Sequence, residues 1–188
     1  MEIDGLAAIV TGGASGLGGA TAAHLAERGA KVSLLDINEE IGAAHALKIG
    51  GQFFKVNVSD EDSVDAALAG AEDKHGTARI LINCAGIAPG SKTVGRENRA
   101  HDLHLFRKVI DVNLIGTFCV ASRFAARAAA LAPIGDDRAV IINTASVAAF
   151  EGQQGQAAYA ASKGGVVALT LPMARDLAAL KIRVMTIA

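Results

Sequence analysis

The stretch LAAIVTGGASGLGGATAAHLAERGAKVSLLD, Leu6–Asp36, joins two apolar runs through a glycine cluster and an alanine-rich segment. The apolar runs, Leu6–Thr11 and Lys31–Asp36, are nearly unbroken in Val, Ile, Leu and Ala, the pattern of strands buried on both faces of a parallel sheet. The alanine-rich segment, Leu17–Arg28, reads as the helix between them. Gly12, Gly16 and Gly18 sit in the turn with GxxxGxG spacing. Glycines there let the backbone approach a pyrophosphate, and the following helix N-terminus offers it free N–H groups. Asp36 closes the second strand, eighteen residues after Gly18 (36 − 18). A carboxylate there accepts hydrogen bonds from an adenosine ribose and repels a 2′-phosphate. No Arg follows it closely, and the next residues are INEE, so the expected cofactor is NAD. A glycine cluster alone also marks ordinary turns. Strand, loop, helix, strand and terminal acid together are the context that the dinucleotide fingerprint requires.

The same alternation continues outward. Gly51–Val58, Ala78–Cys84, Arg138–Thr144 and Ile182–Ala188 read as further strands. Glu39–Ile49, Asp60–His75, Leu103–Leu131 and Ala157–Leu180 read as helices. Ser59 or Asp60 caps the helix opening in SDEDSVDAAL, whose first turn is acidic and so complements the helix dipole. Pro172 lies inside the last helix and is expected to kink or divide it. Right-handed crossovers make this a single α/β domain over residues 1–188, a doubly wound parallel sheet. One long irregular segment, Ile87–Asp102, follows the fourth strand. Loops of that length are functional or mobile as often as they are plain surface insertions.

The 188 residues are 51% hydrophobic and 20% charged, enough for a sizeable core and unlike a disordered chain. Net charge is −1 with no basic run, which argues against a nucleic-acid partner. No uninterrupted apolar stretch approaches a membrane span, and the opening MEIDG lacks the basic start of a signal peptide. Cys84 and Cys119 have no CxxC spacing, so a disulfide framework or zinc site is not expected and a cytoplasmic setting is. His101 and His104 are three apart, with no further ligands to complete a metal set.

The only tyrosine, Tyr159, stands four residues before Lys163 in QAAYAASKGG. Residues four apart share a helix face. A phenol with its ordinary pKa near 10 is a poor base at neutral pH, and a fixed cation beside it favours the phenolate. Tyr159 is thus the candidate general base for oxidation of an alcohol, with Lys163 beside it and able to hold the nicotinamide ribose. Ser146 lies just past the fifth strand, where open α/β sheets bind ligands, and its hydroxyl can hold the substrate oxygen. Taken singly, such a Tyr and Lys more often form an amphipathic surface pair, and such a Ser more often caps a turn. Their joint occurrence behind a dinucleotide loop favours dehydrogenase chemistry. Gln153 and Gln156, between Ser146 and Tyr159, are candidate substrate contacts from position alone.

With these residues in place, the chain resembles the classical short-chain dehydrogenase/reductase family over essentially its whole length. The TGxxxGxG loop is matched by Thr11–Gly18. The N-N-A-G run is matched by Asn83, Cys84, Ala85 and Gly86, with Cys84 replacing the second Asn. The helix Asn is matched by Asn113, and the Ser and Tyr-x-x-x-Lys by Ser146, Tyr159 and Lys163. VIINTASVAAFEGQQGQAAYAASKGG, TLPMARDLA and IRVMTIA look like the branch of type 2 3-hydroxyacyl-CoA dehydrogenases, also known for oxidising hydroxysteroids.

That resemblance implies NAD contacts at Gly12, Ser15, Gly16, Leu17, Gly18, Asp36, Asn57, Val58, Asn83, Cys84, Ala85, Gly86, Tyr159 and Lys163. It also implies a catalytic role for Asn113, anchoring a water that links Lys163 to solvent. Asn57 departs from the usual Asp before Val, and its amide oxygen is expected to accept from the adenine amino group. The implied substrate is a small-molecule alcohol, a 3-hydroxyacyl-CoA of fatty acid metabolism. A 3-oxoacyl reductase, a hydroxysteroid dehydrogenase or a nucleotide-binding fragment without turnover are the alternatives. The implied assembly is a homotetramer. Family members continue past the position of Ala188 with Pro-Gly, a substrate loop, a helix and a seventh strand. The 188-residue chain is therefore expected to be C-terminally incomplete and, alone, a poor enzyme.

Overall fold

The structure, a computed structural model, describes residues 2–188. Six strands form one parallel sheet: β1 (Ala7–Thr11), β2 (Lys31–Asp36), β3 (Gln52–Lys55), β4 (Ile80–Asn83), β5 (Ala139–Thr144) and β6 (Ile182–Ile187). Their order is β3-β2-β1-β4-β5-β6, the doubly wound arrangement the alternation implies. Six helices flank it: α1 (Gly16–Glu27), α2 (Glu39–Ile49), α3 (Glu61–His75), α4 (Leu103–Ile110), α5 (Gly116–Ala128) and α6 (Ala157–Ala178). Strand order reverses between the parallel strands β1 and β4, so a crevice opens beyond their C-terminal ends.

Strand periodicity divides the core. Ala8, Val10, Ile80 and Ile82 face α1 and α2, packing with Ala22, Leu25 and Ala46. Ile9, Leu81 and Ile141 face the other way, against Val64, Leu68, Val120, Phe124 and Met173 of α3, α5 and α6. Phe124 is only 2% exposed, and truncating such a side chain to Ala costs about 3–5 kcal/mol. Arg123 pairs with Glu61 and Asp65, and Arg127 with Glu72, fastening α5 to α3. These pairs are partly exposed and add less than the apolar packing beneath them.

Several elements differ from the sequence reading in instructive ways. β3 stops at Lys55, and Val56–Val58 leave the sheet to wall the crevice. Asp60, not Ser59, caps α3 by accepting from the Ser63 N–H at 2.9 Å. The helix read as Leu103–Leu131 contains a π-helical turn, Asp111–Ile115, between α4 and α5. By length and composition Leu103–Ala128 could cross a membrane, but half of it is buried against the domain. Pro172 does not divide α6, which runs through it as one helix. The irregular segment Ile87–Asp102 holds a short turn at Arg96–Asn98, clipped by a bridge between Val94 and Ala100.

Candidate active site

A crevice of about 580 Å³ lies at the β1/β4 reversal, walled by the loops after β1, β2, β3 and β4. The glycine loop forms its floor for steric reasons. Gly12 has φ +63°, and a Cβ there would come within 2.8 Å of the Ala85 backbone. A Cβ on Gly18 would stand 2.2 Å from the Gly12 carbonyl oxygen. Gly16, with φ +56°, instead faces open space. α2, α3 and α4 are capped by the side chains of Asn38, Asp60 and Asp102, whereas Ser15 makes no such bond at α1. The first-turn N–H groups of α1 therefore remain available to an anion in the crevice. A fixed backbone cradle, uncapped donors and a terminal acid suit a dinucleotide. Gly18→Ala is expected to weaken nucleotide binding about tenfold or more while the chain stays folded; fluorescence titration with reduced nucleotide, alongside circular dichroism, checks both.

Thr11 locks the two sides of this floor together. Its Oγ1 accepts from the N–H groups of Cys84 and Ala85 at 3.2 Å each and donates to Asn83 Oδ1 at 3.3 Å. Asp36 is oriented similarly. Its two oxygens accept from the Ala14 N–H and the Asn38 N–H, both at 3.0 Å, tying the end of β2 to the glycine loop. Both carboxylate oxygens keep lone pairs for further donors.

The catalytic candidates gather beyond β4 and β5. Lys163 is 5% exposed and donates from Nζ to the Thr144 carbonyl at 2.6 Å. Burial lowers its pKa. Its ammonium lies 5.8 Å from the centroid of the Tyr159 ring, so the spacing of four does bring phenol and cation together. The Tyr159 hydroxyl makes no hydrogen bond to protein among the described residues. Ser146 starts a short turn, Val147–Ala149, and accepts from the Ala148 N–H at 3.1 Å, leaving its own proton to donate.

Asn113 is wholly buried, and its side chain is held by protein partners. Its Oδ1 accepts from Ile87 N–H at 2.8 Å, and its Nδ2 donates to Ile87 O at 2.9 Å and to Ser162 Oγ at 3.0 Å. Both amide hydrogens are used, and Oδ1 keeps one lone pair. The π-helical turn aims the side chain at Ile87 and fixes the wall that follows Gly86.

Of the sequence-derived cofactor contacts, Gly12, Ser15, Gly16, Leu17, Gly18, Asp36, Asn57, Val58, Cys84, Ala85 and Gly86 line the crevice. Tyr159 and Lys163 are not among its walls, and neither is Asn83, which is 3% exposed and bonds Asn143 Oδ1 at 3.0 Å beneath the floor, cross-linking β4 to β5. Gln153 and Gln156 are also outside the crevice. They line a separate groove of about 530 Å³ with Lys92 and Val94, opening onto Ala157 and Ala160 in the first turn of α6. The Ile87–Asp102 segment forms its other wall, held by Ser91 N–H donating to Gly155 O at 2.8 Å. Thr11, Thr144 and Lys108 were not singled out by their chemistry. Lys108 lines the crevice from α4, where it reads as an ordinary surface lysine.

The family model described as short chain dehydrogenase matches residues 6–188. The human 3-hydroxyacyl-CoA dehydrogenase type-2 is 53% identical over 191 residues, spanning 100% of this chain and 73% of that protein. Its Drosophila melanogaster counterpart is 50% identical over 184 residues, 96% of this chain and 72% of that one. The crystal structure of 3-hydroxyacyl-CoA dehydrogenase type-2 from Mycobacterium avium superposes with a TM-score of 0.92 at 40% identity, covering 100% of this chain and 76% of that one. A family model over nearly the whole chain, together with half-identical relatives, places this oxidoreductase in the short-chain dehydrogenase family.

Proposed function

We propose that the protein is an NAD-dependent dehydrogenase that interconverts 3-hydroxyacyl-CoA and 3-oxoacyl-CoA thioesters. The observation that carries the chemistry is the Tyr159 phenol, unbonded by protein and set beside the buried Lys163 ammonium behind a dinucleotide cradle. The thioester assignment rests on the relatives, whose names specify it.

The α1 N-terminus would hold the pyrophosphate, Asp36 the adenosine ribose and Lys163 the nicotinamide ribose. When bound, the nicotinamide supplies the acceptor for the hydride from the alcohol carbon. Tyr159 takes the hydroxyl proton as that C–H bond breaks, so the alcohol becomes a ketone by losing a hydride to the nicotinamide and a proton to the phenolate. Ser146 donates to the same oxygen and holds it in line for transfer. Lys163 sets the electrostatics of the phenol through a charge that burial has stripped of water. The groove bearing Gln153 and Gln156 is the candidate place for the acyl portion, because it is lined by Ala157 and Ala160 of the helix that carries Tyr159.

The choice of NAD follows from Asp36. Asp36→Ala is expected to lower kcat/KM with NAD about tenfold and to narrow the preference over NADP, since a ribose acceptor and the repulsion of a 2′-phosphate vanish together. A wild-type preference for NADP would contradict the assignment. The two thiols, both unpaired, suit a reducing, cytoplasmic setting. The apolar groove of about 300 Å³ between α5 and α6, with Phe118, Met173 and Leu177, supports assembly into the tetramer.

A further inference from the structure

The adenine end of the crevice can be located from the groups already placed. With pyrophosphate at α1 and ribose at Asp36, the base lies beyond β2, where Ile37, Val58 and Val112 offer apolar faces. The polar side chain lining this end from the loop after β3 is Asn57. Its orientation is fixed locally. Oδ1 accepts from the Ser59 N–H at 3.2 Å and from the Ser59 hydroxyl at 2.8 Å. A backbone N–H can only meet the oxygen of the amide, so the assignment of O and N is not interchangeable here. The Asn57 N–H donates to Ser63 Oγ at 3.0 Å, and Asp60 N–H donates to Asn57 O at 3.0 Å, holding the backbone as well. The amide oxygen is therefore spent within the loop, and Nδ2 is the group left for a ligand.

Resting on the dinucleotide reading above, we infer that Asn57 reads the base as a hydrogen-bond donor, so the site does not select for the adenine 6-amino group. This reverses the expectation that the amide oxygen accepts from that amino group. Adenine presents an amino donor at position 6 and an acceptor at N1. Hypoxanthine presents a carbonyl acceptor at position 6 and an N–H at N1. A carboxylate at position 57 would accept from the adenine amino group and would face the hypoxanthine carbonyl oxygen with like charge. The Nδ2 of Asn57 instead finds an acceptor on either base: N1 of adenine or O6 of hypoxanthine. Recognition of the base thus comes from its apolar faces and one donor that both purines satisfy.

The test is direct binding of NADH and of its hypoxanthine analogue, followed by nicotinamide fluorescence, to wild-type protein and to Asn57→Asp. The wild type is expected to bind the two nucleotides within about threefold of each other. Asn57→Asp is expected to favour NADH by about tenfold or more, because an unmatched polar pair in a binding site costs about that factor. Ser59→Ala, which removes the 2.8 Å bond and loosens the amide, is expected to shift the ratio toward NADH in smaller measure. A wild-type preference for NADH of tenfold or more would overturn the inference, as would an unchanged ratio in Asn57→Asp. Failure of both nucleotides to bind the wild type would overturn the dinucleotide reading itself and this inference with it, an outcome distinct from selective loss of one.

Discussion

Tyr159→Phe is expected to lower turnover by about 10³-fold while leaving the Kd for NADH within about twofold of wild type, in the range removal of a general acid–base group gives. The phenol oxygen has no hydrogen bond to protein among the described residues, so its loss breaks nothing in the fold. The ring that packs beside Lys163 is retained in Phe, and so is the cradle at α1. Binding and chemistry therefore separate in this variant. Steady-state turnover together with fluorescence titration reads both. Equal turnover by the Phe variant would remove Tyr159 from the mechanism, and loss of binding would show that it serves the cofactor site instead.

Lys163→Met is expected to lower kcat/KM by more than about 10²-fold and at the same time to stabilise the fold. Two roles are lost at once: the cation beside the phenol and the proposed donor to the nicotinamide ribose, so KM for the cofactor rises while kcat falls. The stability change has the opposite sign. Burial holds the Lys163 pKa below its ordinary 10.5, so the folded state binds this proton less tightly than the unfolded one. The unfavourable contribution is complete below the lowered pKa and is relieved as pH rises toward 10.5. Met keeps most of the volume without the charge. A gain of about 1 kcal/mol, or ~2–4 °C in Tm, is expected at neutral pH, diminishing in alkaline buffer. A fall in Tm would mean that the 2.6 Å bond to Thr144 outweighs desolvation.

What was legible in the sequence is what obeys fixed spacing. The glycine loop, Asp36 and the Tyr159–Lys163 pair depend on strand–turn–helix geometry and on a helical period, both visible in residue order. The strands were visible because burial on both faces demands unbroken apolar runs. The parts that were not legible depend on partners far apart in the chain. Asn113 sits in an apolar helix whose period gives no sign of the π-helical turn that aims it at Ile87. Asn83 carries the motif but serves beneath the floor, because a neighbouring strand supplies Asn143 as its partner. Thr11 was visible only as a motif letter, since its three bonds all go to residues more than seventy positions away. At Asn57 residue order does not show that Ser59, two residues on, donates twice to its amide oxygen. Sequence order supplies candidates there, and only the fold says which atom of each is left for a ligand.

The most direct test of the account is to incubate the purified protein with a 3-hydroxyacyl-CoA and NAD, and to quantify reduced nicotinamide by absorbance and 3-oxoacyl-CoA by mass spectrometry. The account predicts that both products form in equal amounts, that NADP supports the reaction poorly, and that Tyr159→Phe forms neither at a comparable rate. Absence of a 3-oxoacyl product despite tight NADH binding would contradict the proposed thioester activity, and an undiminished yield from Tyr159→Phe would contradict its mechanism.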